Sequence, residues 1–367
     1  MAYHNHSELD PTAARAAWAK TLEAGRPHLR NSAIVDVLAA SSGWIDTGLD
    51  LQEGDEASLF SAGMVWFAKE LGIGFNGAFA LWYRIGGGGT IAKSIGPTAS
   101  FRAERSGRLM LIAKPPGEWL DATGRFDPDY PHEGATGALT VAVLIWPGSA
   151  REGLAKLRGI DASGFATREI ARIDARVPLT PGWRHLWRLG ETEIFRAEAA
   201  GPEPARICCL TSQDAGILQY PVDAALDRST RLAWAWKAEE LPSKLREDSL
   251  PTHDYLSIAV EFDNGRDLTY MWSAALPEGK VFPCPLPWWD KRETHQVVRS
   301  DLAKLGVWLE EKQPVLDDYE RAIGGEPPKR IVAVWLIAVS IFQRRNGICS
   351  FAKIRLLSDT GEVRIGP

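Results

Sequence analysis

Residues 253–263 place several side chains capable of acid–base chemistry along one predicted β-strand. Apolar and polar residues alternate through the sequence HDYLSIAVEFD, which begins with His253. Because successive side chains of a strand point to opposite faces, Tyr255, Glu261 and Asp263 share one face and the apolar residues share the other. A carboxylate within reach of an imidazole can transfer protons, so the pattern predicts a reactive or ligand-binding face. The alternative is a solvated outer face on which the carboxylates only keep the strand soluble.

A second group of reactive side chains lies in the sequence THQVVRSD. In a regular strand, residues 295, 297 and 299 share a face, which places the imidazole of His295 and the guanidinium of Arg299 on one surface. The rigid fork of arginine suits a carboxylate or phosphate group of a ligand. The alternative is a structural arginine paired with Asp254 or Glu293. The sequence therefore predicts a second functional patch with Arg299 as its ligand-binding residue.

Tryptophan is unusually abundant, with fifteen residues against seven tyrosines. Trp234 and Trp236 share a strand face and are expected in the core. Trp288 and Trp289 are adjacent in a proline-rich segment and must point in different directions, so one of them is expected to line a groove or an interface. Sugar rings stack on such aromatic platforms. We therefore predict that Trp272 and Trp288 contact a ligand.

Cysteine and histidine spacing gives no local metal motif. The chain has four cysteines, of which Cys208 and Cys209 are adjacent, and it contains no Cys-x-x-Cys pair, so neither a disulfide framework nor a structural zinc site is expected. His253 and His295 could form a two-histidine, one-carboxylate set with Glu261, but they belong to different strands. We predict no metal and no cofactor.

Composition narrows the class of protein. Of the 367 residues, 45% are hydrophobic and 24% are charged, which is typical of a soluble globular chain with two domains. The net charge of −5 disfavours a nucleic-acid partner. The most apolar run, 331–342, is too short to cross a bilayer, and the amino terminus does not resemble a secretory signal. We expect a cytoplasmic protein that binds neither nucleic acid nor membrane.

The chain is expected to contain a helix followed by two β-domains. Asp10 as N-cap and Pro11 at the first helical position predict a short helix to Leu22. Dense turn signals between short strands indicate antiparallel sandwiches or barrels. The predicted divisions are a helical segment at 1–30, a β-sandwich at 31–149, a linker at 150–181 and a second β-sandwich at 182–367. In the last domain, strands are expected near 207–210, 232–237, 255–262, 268–273, 294–299 and 331–341, and a short helix near 315–323.

The C-terminal half, roughly 204–357, resembles an uncharacterised bacterial family, a domain of unknown function. The resemblance implies a β-sandwich and no activity. It rests on Leu232, Trp234, Trp236 and Lys237, Leu241-Pro242, His253-Asp254-Tyr255, Val260 with Phe262, Tyr270 with Trp272, Val297 with Arg299, and Asp318-Tyr319.

The N-terminal half resembles the galactose-binding bacterial lectins of the PA-I type. The matching residues, in order, are Gly54-Asp55, Arg84-Ile85-Gly86, Gly89-Thr90-Ile91, Pro116-Gly117 and the run from Gly137 to Val141. In those lectins, the Pro-Gly loop holds calcium and the sugar. Here Lys114 stands at the position of a ligand aspartate, and an ammonium repels calcium. Glu118 and Asp121 replace other residues of that loop, and they are predicted to contact ligand without calcium.

These observations predict an all-β protein of two jelly-roll or galactose-binding-like sandwiches with a short N-terminal helix. The predicted function is binding of a carbohydrate or similar polyhydroxylated ligand, by analogy of fold. A hydrolase or lyase with its site on the C-terminal polar face stays open, as does a structural protein or homo-oligomer. The residues predicted to act in catalysis are Glu261, His253 and His295. The residues predicted to bind ligand are Tyr255, Asp263, Arg299, Trp272, Trp288, Glu118 and Asp121.

Overall fold

The computed structural model describes residues 10–130 and 134–366. The chain forms two compact units: the first contains the residues up to Arg176 together with 187–191, and the second contains 177–186 and the residues from Thr192 onwards. Strands dominate both units, so the prediction of an all-β fold with a short N-terminal helix is confirmed. The first nine residues of the predicted N-terminal segment lie outside the described residues. The longest of the described helices has 14 residues, and none of them could span a bilayer.

The first unit consists of two antiparallel sheets and several helices. Its helices are α1 (Pro11–Ala24), α2 (Gly77–Ala80), α3 (Ala150–Leu157) and α4 (Phe165–Ala175). Its strands are β1 (Asn31–Leu38), β2 (Ile45–Leu51), β3 (Glu56–Ala68), β4 (Ile73–Phe75), β5 (Leu81–Ile85), β6 (Ala92–Lys93), β7 (Thr98–Arg102), β8 (Gly107–Ala113) and β9 (Thr136–Ile145). One sheet has the order β1-β9-β3-β4 with β7 also paired to β3, and the other has the order β2-β8-β5-β6.

Helix α1 begins as the sequence predicts. The carboxylate of Asp10 accepts hydrogen bonds from the backbone N–H groups of Thr12 and Ala13, both at 3.0 Å, and Pro11 occupies the first turn. The helix is part of the first unit, because its Trp18 is 1% exposed and its ring packs against that of Phe165 at 5.3 Å.

The predicted linker at 150–181 is largely helical. Helices α3 and α4 occupy most of it, and their apolar residues belong to one buried cluster with Trp18 and Phe60. The chain first passes from the first unit to the second after Arg176, and it returns to the first unit for 187–191. Both helices are short, so they depend on packing against the sheet rather than on intrinsic helix propensity, which is why no firm period marks them in the sequence.

The second unit is a sandwich of two larger sheets. Its strands are β10 (Arg184–His185), β11 (Phe195–Glu198), β12 (Arg206–Ser212), β13 (Ala215–Ala225), β14 (Arg231–Glu240), β15 (Tyr255–Phe262), β16 (Asp267–Trp272), β17 (Val281–Pro283), β18 (Glu293–Arg299), β19 (Leu309–Pro314), β20 (Arg330–Val339), β21 (Asn346–Ser358) and β22 (Gly361–Arg364). Helix α5 spans Val315–Ala322. The six strands and the helix expected from the sequence of this half are thus confirmed. Single-turn 3-10 helices lie at Arg26–His28, Lys69–Leu71, Leu250–Thr252, Trp289–Lys291 and Leu302–Lys304.

The core of the second unit lies between its two sheets. The seven-stranded sheet has the order β10-β13-β20-β15-β16-β18-β17, and the six-stranded sheet has the order β11-β12-β21-β14-β19 with β22 also paired to β21. Leu256, Ile258 and Val260 of β15 are fully buried in the same cluster as Trp234 and Trp236 of β14, as the alternation predicts.

The opposite face of the seven-stranded sheet is also covered over part of its area. Tyr255 is 3% exposed and Ser257 is 0% exposed, although the sequence places both on the polar face. The face is therefore not the solvated surface that the alternative interpretation required, and its polar groups must find partners inside the protein.

A β-bulge changes the direction of Arg299. Strand β18 runs parallel to β16 with Met271 opposite Val297, but the next pair is Trp272 with Arg299, so Val298 is an extra residue. One extra residue moves every later side chain to the other face. The expectation that residues 295, 297 and 299 share a face is therefore wrong for Arg299.

Candidate functional site

The covered face of the second unit holds a cluster of polar side chains at one edge of the seven-stranded sheet. His253 precedes β15, Tyr255 begins it, and His295 lies on β18 two strands away. The ring of His295 is 4.8 Å from that of His253 and 4.8 Å from that of Tyr255. Three of the predicted site residues thus meet, although they come from two separate segments of the chain.

Glu293 connects this cluster by hydrogen bonds. Its Oε1 accepts a hydrogen bond of 2.9 Å from the Tyr255 hydroxyl and one of 3.2 Å from the Thr269 hydroxyl. The same oxygen is 3.6 Å from Nε2 of His295. Asp267 lies next to Glu293 in the sheet register, and its Oδ1 is 3.1 Å from the same Thr269 hydroxyl, whose single proton the two carboxylates share. All of these side chains are at most 3% exposed.

Burial determines the charges in the cluster. Removal from water lowers the pKa of His253 to about 4, although its hydrogen bond to a backbone carbonyl opposes the shift. Burial also lowers the pKa of His295, and the neighbouring His253 adds to this effect. The pKa of Asp267 is raised by burial and then by the charge of Glu293, whose own pKa burial also raises. Both imidazoles are therefore neutral at pH 7.

Cys284 is a member of the cluster that the sequence analysis missed. Its Sγ is 3.4 Å from Nε2 of His253, and its side chain is 1% exposed. It follows β17 in the sequence Pro-Cys-Pro, which has no spacing relation to either histidine. The sequence predicts Glu293 only as an alternative partner for Arg299. The spacing in the sequence does indicate that Glu293 lies beside His295, because residues two apart in a strand share a face.

Glu261 lies at the other end of β15, in a different environment. Its carboxylate is half-buried, and Oε2 accepts hydrogen bonds from Nε2 of Gln219 at 2.8 Å and from the indole of Trp335 at 3.1 Å. The side-chain oxygen Oε1 of Gln219 in turn accepts a hydrogen bond of 2.8 Å from Nε of the exposed Arg184. The cluster continues towards this group through Asp267, which is opposite Glu261 in the register.

Other predicted site residues of the second unit lie elsewhere. Arg299 does not join Tyr255 and His295, because its guanidinium pairs with Glu311 of the six-stranded sheet. Trp272 is 1% exposed and packs in the core, so it is not available to a ligand. Asp263 is an exposed turn residue that accepts a hydrogen bond from the backbone N–H of Lys329.

Trp288 and Asp254 are buried and contact other groups of the protein itself. Trp288 is 3% exposed, and the guanidinium of Arg292 lies 4.2 Å from the centre of its ring. Asp254 is fully buried, and its carboxylate accepts hydrogen bonds from the backbone N–H groups of Phe342 and Gln343. Burial raises the pKa of Asp254 to about 6, against the effect of those hydrogen bonds.

The Pro-Gly loop of the first unit does not fit a calcium ion. Asp121 accepts hydrogen bonds from the backbone and hydroxyl of Thr123 and from Nε of Arg125, so its oxygens are already engaged. Lys114 is buried, and its ammonium lies 4.9 Å from the centre of the Phe126 ring. Glu118 is 9% exposed, and its charge partly offsets the burial that lowers the pKa of Lys114. Among the described residues of this loop, the ammonium of Lys114 would therefore repel calcium, and the carboxylate of Asp121 is already engaged.

Comparison with solved structures finds sandwich proteins at low similarity. The N-terminal domain of EclA, a PllA-like lectin, aligns with a TM-score of 0.26 and 16% identity, over 32% of this chain and 98% of its own. The family 11 carbohydrate-binding module of a Clostridium thermocellum cellulase aligns with a TM-score of 0.25 and 12% identity, and the alignment covers 50% of this chain and 91% of the module. The tandem CBM22 domains of Paenibacillus barcinonensis Xyn10C align with a TM-score of 0.23 and 9% identity, and the alignment covers 84% of this chain and 80% of the tandem domains. Scores of this size carry no function over to this chain.

Sequence comparison gives a clearer result for the second unit. No curated protein matches the chain significantly. Residues 191–355 match the model of a family described as "Protein of unknown function (DUF3047)", which confirms the resemblance predicted for the C-terminal half.

Proposed function

We propose that the second unit binds a carbohydrate or a similar polyhydroxylated ligand on the outer face of its seven-stranded sheet. The observation that carries this proposal is a polar row, defined as Arg184, Gln219, Trp335 and Glu261. These residues occupy neighbouring strands: Arg184 is opposite Gln219, and Gln219 is opposite Trp335 in the register. Their side chains are joined by hydrogen bonds, so the row is held in one geometry before any ligand arrives.

The polar row offers the groups that hydroxyl recognition requires. Each hydroxyl both donates and accepts a hydrogen bond, so a site for several hydroxyls needs fixed donors beside fixed acceptors. The guanidinium of Arg184 only donates, the carboxylate of Glu261 only accepts, and the amide of Gln219 does both. Hydrogen bonds to charged partners are stronger than those between neutral groups, so the two ends of the row contribute most.

The two charged ends of the polar row are accessible, and its middle is buried. Arg184 is exposed and Glu261 is half-buried, whereas Gln219 is 8% exposed and Trp335 is 5% exposed. A ligand can therefore reach the two charged ends, while the hydrogen bond from the indole of Trp335 orients the Glu261 carboxylate. This arrangement supports binding at a shallow surface rather than enclosure in a deep pocket.

The geometry gives less support to an acid–base enzyme. The imidazoles of His253 and His295 and the carboxylate of Glu293 are at most 3% exposed. A substrate must approach a catalytic group to within hydrogen-bond distance, and these groups are enclosed by protein. The polar row is therefore the better candidate for contact with a ligand.

A glycan array probed with the full-length protein tests the proposal, followed by calorimetric titration of the best oligosaccharide. Arg184→Ala and Glu261→Gln should each weaken binding at least tenfold. Arg330→Ala is the matched control, because Arg330 lies on the neighbouring strand β20 and pairs with the exposed Asp223 outside the polar row. Absence of binding to every glycan and polyol, or equal binding by all variants, would refute the proposal.

A further inference from the structure

A second site lies at the covered edge of the seven-stranded sheet, separate from the polar row. One atom each of His253, Cys284 and His295 can be chosen so that the three atoms all lie within 4.8 Å of one another. All three side chains are at most 1% exposed. Two imidazole nitrogens and one sulfur are the ligand types that zinc and related thiophilic ions prefer.

His253 is already oriented as a metal ligand. Its Nδ1 is 2.6 Å from the backbone carbonyl of Glu247. A carbonyl only accepts, so Nδ1 carries the proton and Nε2 of the neutral ring has a free lone pair. That lone pair faces Sγ of Cys284 at 3.4 Å. Metal-bound histidines commonly donate their second N–H to a carbonyl in this way.

Glu247 is itself fixed, so this orientation is rigid. Its carboxylate accepts hydrogen bonds from the hydroxyl of Ser273 at 2.5 Å and from the backbone N–H of Ala274 at 2.6 Å. The carbonyl that orients His253 therefore belongs to a residue anchored at the end of β16.

His295 supplies the independent observation that points to a ligand. It is 0% exposed, and neither of its ring nitrogens has a hydrogen-bond partner among the described residues. Its ring stacks on Phe282 at 4.9 Å with an interplanar angle of 13°. Burying a polar group without a partner is costly, so a buried imidazole with two unsatisfied nitrogens requires an explanation. The thiol of Cys284 can donate to His253, but no such donor serves His295.

We infer that His253, Cys284 and His295 bind a thiophilic transition-metal ion such as Zn²⁺, with Glu293 as the neighbouring carboxylate. Charge supports this assignment. A divalent ion held by one thiolate and two neutral imidazoles needs one further negative charge to be buried without a large penalty, and Glu293 or the adjoining Asp267 can supply it. Glu293 is close enough to take part, since its Oε1 is 3.6 Å from Nε2 of His295.

The spacing of the atoms suits a tetrahedral site. Zinc bonds of about 2.0–2.3 Å place neighbouring ligand atoms roughly 3.5 Å apart. The observed separation of 3.4 Å between Sγ of Cys284 and Nε2 of His253 already meets this value, and the separations to His295, which are at most 4.8 Å, need a contraction of no more than about one ångström.

The site is closed, which indicates a structural rather than a catalytic ion. His253 lies in the segment before β15, Cys284 in the segment after β17, and His295 on β18. One ion would therefore fasten two connecting segments to the edge of the sheet. Metal bound only by the folded state raises its stability.

Metal analysis of the full-length protein tests this inference. Protein without a polyhistidine tag is produced in zinc-supplemented medium, passed through gel filtration and analysed by mass spectrometry. We expect about one zinc ion per chain and a melting temperature that falls by several degrees after treatment with a strong chelator. Replacement of zinc by cobalt should add a near-ultraviolet absorption band from the thiolate–cobalt bond.

Variants locate the ion. Cys284→Ser and His295→Gln should each lower metal content or affinity at least tenfold and should change the cobalt spectrum. Cys208→Ser is the control, because Cys208 lies on β12 in the six-stranded sheet. Stoichiometric copper in place of zinc would still support the site. Wild-type protein without stoichiometric metal would overturn the inference even if the variants fail to fold, as would equal metal content in wild type and both site variants.

Discussion

Arg299 and Glu311 join the two sheets of the second unit through a two-point ion pair. Nε and Nη2 of Arg299 lie 2.7 Å and 3.0 Å from the two oxygens of Glu311. The side chain of Glu311 is only 5% exposed, and its Oε1 also accepts a hydrogen bond of 3.1 Å from the indole of Trp236. The arginine that the sequence assigned to a ligand therefore satisfies a buried carboxylate of the protein itself.

Replacing Arg299 should therefore reduce stability rather than ligand binding. Arg299→Met leaves the Glu311 carboxylate buried with one neutral donor, which we expect to cost about 2 kcal/mol, less than for a fully buried pair because the Arg299 side chain is 33% exposed. Urea denaturation measures the loss. Arg330→Met, which breaks an exposed pair with Asp223, is the control and should change little. A loss of ligand affinity without a loss of stability would contradict this prediction and would show that Arg299 contributes to ligand binding.

Glu261→Gln should have the reverse effect of replacing Arg299: it should weaken ligand binding and leave stability nearly unchanged. The substitution keeps an acceptor oxygen for Gln219 and Trp335 but removes the charge of the half-buried carboxylate. We expect the free energy of unfolding to change by less than about 1 kcal/mol, while affinity for a polyhydroxylated ligand falls. If chemical denaturation instead shows a loss of about 3–5 kcal/mol, Glu261 is part of the scaffold.

Gly153 should resist replacement by alanine although it lies inside helix α3. Alanine is normally the better helix former, but a Cβ at this position would lie 2.0 Å from Cε3 of Trp146, a ring that is 1% exposed. We expect Gly153→Ala to destabilise the first unit by about 1–3 kcal/mol. A Cβ at Gly159 meets no atom of the described residues within 4 Å, so Gly159→Ala is the control. The comparison is made by thermal and urea unfolding, and equal effects of the two substitutions would contradict it.

The two units should unfold separately. Each has its own buried core, and the boundary between them after Arg176 is followed by Val177, which is 46% exposed. Differential scanning calorimetry of the intact chain should resolve two transitions. Limited proteolysis should cut first at 177–182, where the chain is mostly exposed and has no helix or strand. One cooperative transition together with resistance at this segment would argue against independent units.

Much of the fold was predictable from local pattern. The alternation in β15 identified both faces of that strand, because the two-residue period of a strand depends on backbone geometry alone. Asp10 and Pro11 identified the start of α1 for a similarly local reason. Helices α3 and α4 were missed because tertiary packing, and not their own sequence, stabilises them. The bulge at Val298 could not be predicted, because the residue types around it are those of a regular strand.

The candidate sites divide in the same way. The sequence by itself determined that His253, Tyr255 and Glu261 stand on the non-core side of one strand and that His295 stands on another. Only the tertiary structure decided that this side is fully covered near His253 and partly exposed at Glu261, because coverage depends on segments far away in the chain. It also brought Cys284 to the two histidines and turned Arg299 away from them. A site assembled from separate segments leaves no spacing in the sequence, since the order of strands in the sheet, and not distance along the chain, sets which side chains meet.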